Sequence, residues 1–157
     1  MKTLMGGAMM AVLVGCAAHG PQSLEQSRAS SGGHGIDEAE IAALFDRWNE
    51  SLQTGDPAAV AENYADDSIL LPTLSNQPRL TDAERKDYFE HFLQDGPSGS
   101  IDLRHISVDG KTAVDAGLYT FTFARTGETA VARYTFTYRL EGDEWLITSH
   151  HSSLLPE

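Results

Sequence analysis

IDLRHISVDGKTAVDAGLYTFTF, residues 101–123, reads as two strands and the turn between them. Asp109-Gly110 stands where a two-residue hairpin loop needs backbone of positive φ, and Asp-Gly is a favoured pair there. After the turn, Tyr119, Phe121 and Phe123 recur at every second residue, so a strand puts all three on one face. Thr126-Gly127 turns the chain into TAVARYTFTYRL (129–140), where Tyr134, Phe136 and Tyr138 alternate in the same way. Gly142-Asp143 turns it once more into EWLITSHHSS (144–153). Strands joined by such short turns form an antiparallel meander.

Upstream the period changes from two to 3.6. Asp37 with Glu40 makes a capping box, and Ile41, Leu44, Phe45, Trp48 and Leu52 then follow at helical spacing until Gly55. Asp56-Pro57 is a cap and first-turn proline for a second helix, expected to run to about Tyr64. Ser68 to Leu71 reads as a short strand and 72–79 as a loop. Thr81 with Glu84 opens a third helix over Tyr88, Phe89, Phe92 and Leu93, stopped by Gly96-Pro97. Helices first and a meander last is an α+β layout, with the N-terminal helices packed on one side of a strongly curved, mainly antiparallel sheet. A sheet bent around a helix forms a cone, and the open end of a cone is a place for a small ligand.

The chain has 157 residues and 11 Lys+Arg against 23 Asp+Glu, a formal charge of −12. One domain accommodates that length. The charge argues against a nucleic-acid partner, whose phosphates need a basic surface. The only cysteine, Cys16, follows Lys2 and an apolar stretch too short to span a bilayer. Leu13-Val14-Gly15-Cys16 matches the lipobox of bacterial lipoproteins. Residues 1–15 are therefore expected to be a cleaved lipoprotein signal peptide, with Cys16 carrying the lipid that anchors the chain to a membrane. An ordinary secretory signal with a chance cysteine is the alternative. Losing residues 1–15 removes Lys2 alone and takes the charge from −12 to −13. The expected location is the bacterial periplasm, at the outer membrane if the host is Gram-negative, since Ala17 rather than Asp follows the cysteine. Residues 16–35, polar and rich in Gly and Ser, read as a flexible tether, leaving 36–157 as the folded domain.

The last strand carries His150, His151, Ser152 and Ser153. Alternation puts His150 and Ser152 on one face and His151 and Ser153 on the other, and one pair must face inward. Adjacent histidines on a regular strand cannot share a metal ion, and the chain has no HxH, HExxH or cysteine pair. Thr73 on the loop after the first strand, and Tyr88 beside Phe89 on the third helix, are further polar groups able to converge in an apolar cone. Each has a plainer reading: Thr73 satisfying its own loop, Tyr88 as a core aromatic with a wet hydroxyl. Arg79 and Arg104 suit either an anion clamp or surface ion pairs. Arg133, among apolar strand residues, is expected to have a buried partner. Asp66, Asp67 and Asp115 are the carboxylates that could serve as a base, none of them in an evidently apolar setting.

Trp145, Ile147, His150, His151, Ser152, Ser153, Pro156 and Glu157, together with LLPTLSNQPR (70–79), DYFEHFL (87–93) and ARYTFTYR (132–139), carry a resemblance. Over residues 36–157 the chain resembles the nuclear-transport-factor-2-like superfamily. Within it, the chain resembles bacterial proteins related to the association domain of calcium/calmodulin-dependent protein kinase II. The HHSS ending is similar to that of iota-class carbonic anhydrases. Leu154 stands where that ending is expected to have Met, a swap an apolar position tolerates. The resemblance implies the cone fold and the reversible hydration of carbon dioxide to bicarbonate, in some members without a metal. It implies a hydroxyl trio around bicarbonate, which falls on Thr73, Tyr88 and Ser152. His150, sharing the face of Ser152, is the expected proton acceptor, since imidazole ordinarily titrates near neutrality. No cofactor is expected, with zinc or manganese left open. A homodimer is expected, because the open sheet face of such a fold needs cover. Two other readings remain: a non-catalytic assembly or small-ligand-binding module of the association-domain type, and an isomerase or cyclase of the same superfamily, which would need an Asp or Glu base in the cone.

Overall fold

The computed structural model describes residues 37–73 and 75–156. The expected signal peptide (1–15), the expected lipidation site Cys16 and the expected tether (16–35) lie outside the described residues.

Helix α1 (Glu38–Gln53) starts at the Asp37–Glu40 capping box, in which each side chain accepts from the other residue's backbone N–H. Ile41, Phe45, Trp48 and Leu52 form its buried face. Helix α2 (Pro57–Ala61) is capped by Asp56, whose Oδ1 accepts from Ala58 N at 2.9 Å. It is shorter than the sequence suggests. The Asn63 amide donates to the Ala59 and Val60 carbonyls, satisfying groups the helix end leaves open. Tyr64, expected at the helix end, instead begins strand β1 (Tyr64–Leu71). Helix α3 (Asp82–Phe92) opens on the Thr81–Glu84 capping box and closes in a 3-10 turn, Leu93–Asp95. Strands β2 (Pro97–Asp109), β3 (Thr112–Phe123), β4 (Thr129–Glu141) and β5 (Glu144–Leu154) follow as the expected meander, Asp109 to Thr112 closing over Gly110 at φ 58°.

The sheet order is β1-β5-β4-β3-β2, with β1 parallel to β5 and every other pair antiparallel. β1 and β2 are opposite edges, so the chain from one to the other, including α3, must cross the sheet. Bulges at Ile101/Leu103 and Thr137/Tyr138 interrupt the ladders and bend them. Gly117 explains the first. A Cβ there would lie 1.8 Å from the Leu103 carbonyl oxygen, so only glycine admits that approach. α1 fills the concave side. Phe45 packs on Tyr119, Tyr134 and Phe136 with ring centroids 6.1–6.5 Å apart. Asn49 locks the helix to β2 by accepting from Gly99 N at 2.8 Å and donating to Gly99 O at 3.0 Å. The two aromatic triplets of β3 and β4 therefore face the same core, with Tyr119 stacked on Tyr134 at 5.0 Å.

Two expectations about charge are corrected. Arg133 is exposed, because its strand position points to the outer face. Asp115 is wholly buried, on the inner face of β3. The buried arginine is Arg85 of α3, which donates to Ser68 O at 3.2 Å and lies 5.8 Å from the centre of the Tyr64 ring.

Candidate active site

A cavity of about 630 Å³ opens between the end of β1, the inner face of α3 and the concave side of the sheet. Trp48, Leu70, Phe89, Phe92 and Phe121 supply much of its wall. The parallel pairing of β1 and β5 sets Leu71 against His151. Thr73, just beyond Pro72, thereby comes beside Ser152. The hydroxyls Thr73 Oγ1 and Ser152 Oγ are 2.5 Å apart, and Tyr119 Oη donates to the same Ser152 Oγ at 2.5 Å. Tyr88 lines the cavity too, held against Phe89 and Phe92. Its hydroxyl has no protein partner among the described residues. Thr73, Tyr88, Ser152 and His150 all line this one cavity, whereas His151 is exposed on the other face.

The protons can be counted. Thr73, Ser152 and Tyr119 carry three O–H groups, and the two bonds among them consume two. One O–H remains to donate outward, whichever of Thr73 and Ser152 holds it. Tyr88 adds a second. Burial pushes the Tyr119 phenol up to about 12, with its bond to Ser152 pulling the other way, and pushes Tyr88 further above its ordinary value. Both are neutral donors at physiological pH. In a low-dielectric wall, donors linked in this way polarise one another.

His150 departs from its expected role. The ring is 4% exposed, stacks on Phe136 at 4.1 Å and meets Trp48 edge-on at 5.2 Å. Trp48 Nε1 donates to Tyr64 Oη at 3.1 Å, and Tyr64 Oη lies 2.8 Å from His150 Nδ1. Burial, with a smaller contribution from His151, lowers the His150 pKa to about 3. A near-neutral imidazole that takes up the reaction's proton is therefore not what the fold provides.

The other sequence candidates lie elsewhere. Arg79 forms an ion pair with Asp87 at 3.4 Å and sits 5.8 Å from the Tyr88 ring centre, behind the wall. Arg104 pairs with Asp115 at 3.2 Å, and Tyr134 Oη donates to Asp115 at 2.8 Å. Desolvation holds that carboxyl above its ordinary range, against the pull of Tyr134 and Arg104. Asp115 does not line the cavity, and Asp66 and Asp67 are exposed. Among the described residues no group of three His, Cys, Asp or Glu is placed to hold a metal. The cavity's hydroxyls and single imidazole, with Nδ1 already engaged, do not fit a zinc ligand set. Sequence reasoning missed Tyr119 and Tyr64. Both sit in aromatic surroundings that read as core, and only their hydroxyl partners reveal otherwise.

A model of the calcium/calmodulin dependent protein kinase II association domain matches residues 37–156. The chain belongs to that family. A Xanthomonas campestris structure described as a candidate association domain of this kind is 47% identical, with a TM-score of 0.74 over 78% of this chain and 91% of that one. A second association-domain structure, from Thiobacillus denitrificans, is 16% identical with a TM-score of 0.63 over 73% and 94%. An NTF2-like protein of unknown function from Pseudomonas putida is 18% identical, with a TM-score of 0.67 over 76% and 87%. The last two show the fold alone, and the cone of this association-domain relative is NTF2-like. The search of curated proteins returned no match.

Proposed function

We propose that this association-domain relative is a carbonic anhydrase, interconverting carbon dioxide and bicarbonate in the cavity beneath Ser152. The observation that carries the reading is the Thr73–Ser152–Tyr119 hydroxyl cluster set in an apolar wall, with Tyr88 lining the same cavity. Carbon dioxide is apolar and rests against Leu70, Phe89 and Phe121. A water held by the cluster attacks its carbon. As the new C–O bond forms, one C=O π pair moves onto oxygen, and the spare cluster O–H and Tyr88 donate to that developing charge. The water's proton leaves to solvent through the cavity mouth, because His150, Tyr88 and Tyr119 all keep their neutral forms at physiological pH. Bicarbonate, a planar anion, then leaves by the same route.

The test is stopped-flow hydration of carbon dioxide with and without chelator. Hydration above the buffer rate that survives chelation is expected. Activity that chelator removes and zinc or manganese restores would keep the reaction and overturn this mechanism. A second reading draws on the cavity volume, which suits a ligand much larger than carbon dioxide: a non-catalytic module that binds a small molecule and assembles, as the family's association-domain description suggests. No hydration, with a saturable small carboxylate ligand, would favour it. The isomerase or cyclase reading has less support, since the buried carboxylate Asp115 stands outside the cavity.

A further inference from the structure

The inner face of β4 changes size along its length. Tyr134, Phe136 and Tyr138 are buried there within the core, whereas the same row toward the start of the strand holds Ala130 and Ala132. Both alanines line the cavity. Ala130 stands opposite Phe121 of β3, and Ala132 stands between Tyr119 of β3 and Leu154 of β5. Methyl groups at positions where the strand elsewhere carries rings leave room, and the cavity reaches about 630 Å³. Carbon dioxide and bicarbonate are far smaller than the molecules that sites of roughly 300–1,000 Å³ hold. An unfilled apolar cavity also costs stability, so a fold with no use for the space would gain by filling it.

We infer that the part of the cavity floored by Ala130 and Ala132 is a second binding compartment, adjoining the hydroxyl cluster at Ser152, and that it takes an uncharged aromatic molecule. The class follows from the surroundings. Phe92 meets Phe121 and Phe123 edge-on, with ring centroids 5.7 and 6.1 Å apart, and Phe121 stacks on Phe123 at 6.2 Å. All three line the cavity with the alanines. A flat ring placed among phenyl groups gains from offset and edge-to-face contacts as well as from burial. Charge at the rim sets the second property. The β3–β4 turn, residues 126–129, is exposed and lines the cavity. Glu128 in this turn has no ion-pair partner among the described residues, and Asp95, also in the lining, is paired with Arg125. Among the described residues no lysine or arginine lines the cavity. An anionic ring would meet a carboxylate at the rim and find no cation inside, so a neutral one is preferred. The inference stands on the shape and charge of the cavity and not on carbon dioxide chemistry.

The experiment is methyl NMR on the intact protein carrying 13C-methyl alanine, with benzyl alcohol as the probe. The expected result is a saturable shift of the Ala130 and Ala132 methyl resonances under the ring current of the bound molecule, with alanines outside the cavity unmoved. Benzoate, similar in size but charged, binds about tenfold more weakly, the scale of an uncompensated charge at an apolar site, and Glu128→Gln narrows that gap. Cyclohexylmethanol, which fills similar space without a π face, binds about threefold more weakly. Ala130→Leu occupies the compartment and weakens benzyl alcohol about tenfold or more, the scale of the apolar contact it displaces. The urea midpoint of Ala130→Leu stays at or above that of the wild type, because the new side chain enters open space. Alanine methyls indifferent to benzyl alcohol, or undiminished binding in Ala130→Leu, overturn the inference. Benzoate or cyclohexylmethanol binding as tightly as benzyl alcohol overturns the ligand class, and a lowered midpoint in Ala130→Leu means that the space does not exist. Saturable binding in a protein without hydration activity supports the inference and ends the carbonic anhydrase reading.

Discussion

His150 and His151 are neighbours in the chain and opposites in chemistry. The first is sealed between Phe136 and Tyr64, and the second is exposed. The difference has a consequence for stability. In the unfolded chain His150 takes a proton as pH falls below about 6.5, while in the fold it stays neutral down to about 3. Between those values the unfolded state binds one more proton, so stability falls with decreasing pH. For this group alone the slope is about 1.4 kcal/mol per pH unit. Urea unfolding from neutral pH toward pH ~4 should therefore show a shallower acid limb in His150→Gln than in the wild type. Equal slopes would mean that the imidazole is not buried neutral. Thr73, Tyr88 and Ser152 were picked out by the resemblance, each having a plainer reading when taken singly, and all three line the one cavity. Which of Ser152 and Ser153 faces inward was not legible in the residues themselves, since alternation alone leaves the phase of a strand open. Tyr119 and Tyr64 escaped because a phenol within an aromatic run looks like core until its hydroxyl partner is known. Asp115 and Arg133 were misplaced because alternation leaves the phase of a strand open. One is on the inner face of β3 and the other on the outer face of β4.

Among the elements, those bounded by local chemistry were readable. The two capping boxes and the Asp109-Gly110 turn depend on residues a few positions apart, and all three stand where the sequence puts them. The start of β1 depends on distant groups. Tyr64 is drawn into the sheet by Trp48 and His150, and Ile147 N donates to Asn63 O at 2.9 Å, so a segment that looks like a helix end becomes a strand. The bend of β3 was equally hidden, because Gly117 matters only through its approach to Leu103. Gly117→Ala forces the backbone apart at that bulge. It should lower stability by about 2 kcal/mol or more, in the range of severe overpacking, read as a drop in the urea midpoint. An unchanged midpoint would mean that the bulge relaxes freely and does not set the curvature. Curvature matters for the site, since β3 carries Tyr119 to Ser152 of β5 across the intervening strand.

At the scale of the whole molecule, the sheet's outer face has no helix on it among the described elements. Leu103 and Val131 stand on that face at 60% and 42% exposure, and Leu155, whose N–H donates to Val131 O, is exposed at 38%. A second copy of the chain covering this face would remove such apolar surface from water. The proposed state is a homodimer, read by size-exclusion chromatography with light scattering at twice the chain mass. Leu103→Glu should shift it toward monomer, and a wild type that runs as monomer at all concentrations would remove the proposal. The central claim is narrower than assembly: hydroxyls within a greasy cavity, with Ser152 at their junction, hydrate carbon dioxide. Paired stopped-flow rates for Ser152→Ala and Ser153→Ala test it most directly, because the two serines are adjacent in sequence and lie on opposite faces of β5. The expected result is a loss of about 100-fold or more for Ser152→Ala, the scale of one lost oxyanion-stabilising group, with Ser153→Ala close to wild type. Hydration undiminished in Ser152→Ala, or reduced alike in both variants, would contradict it.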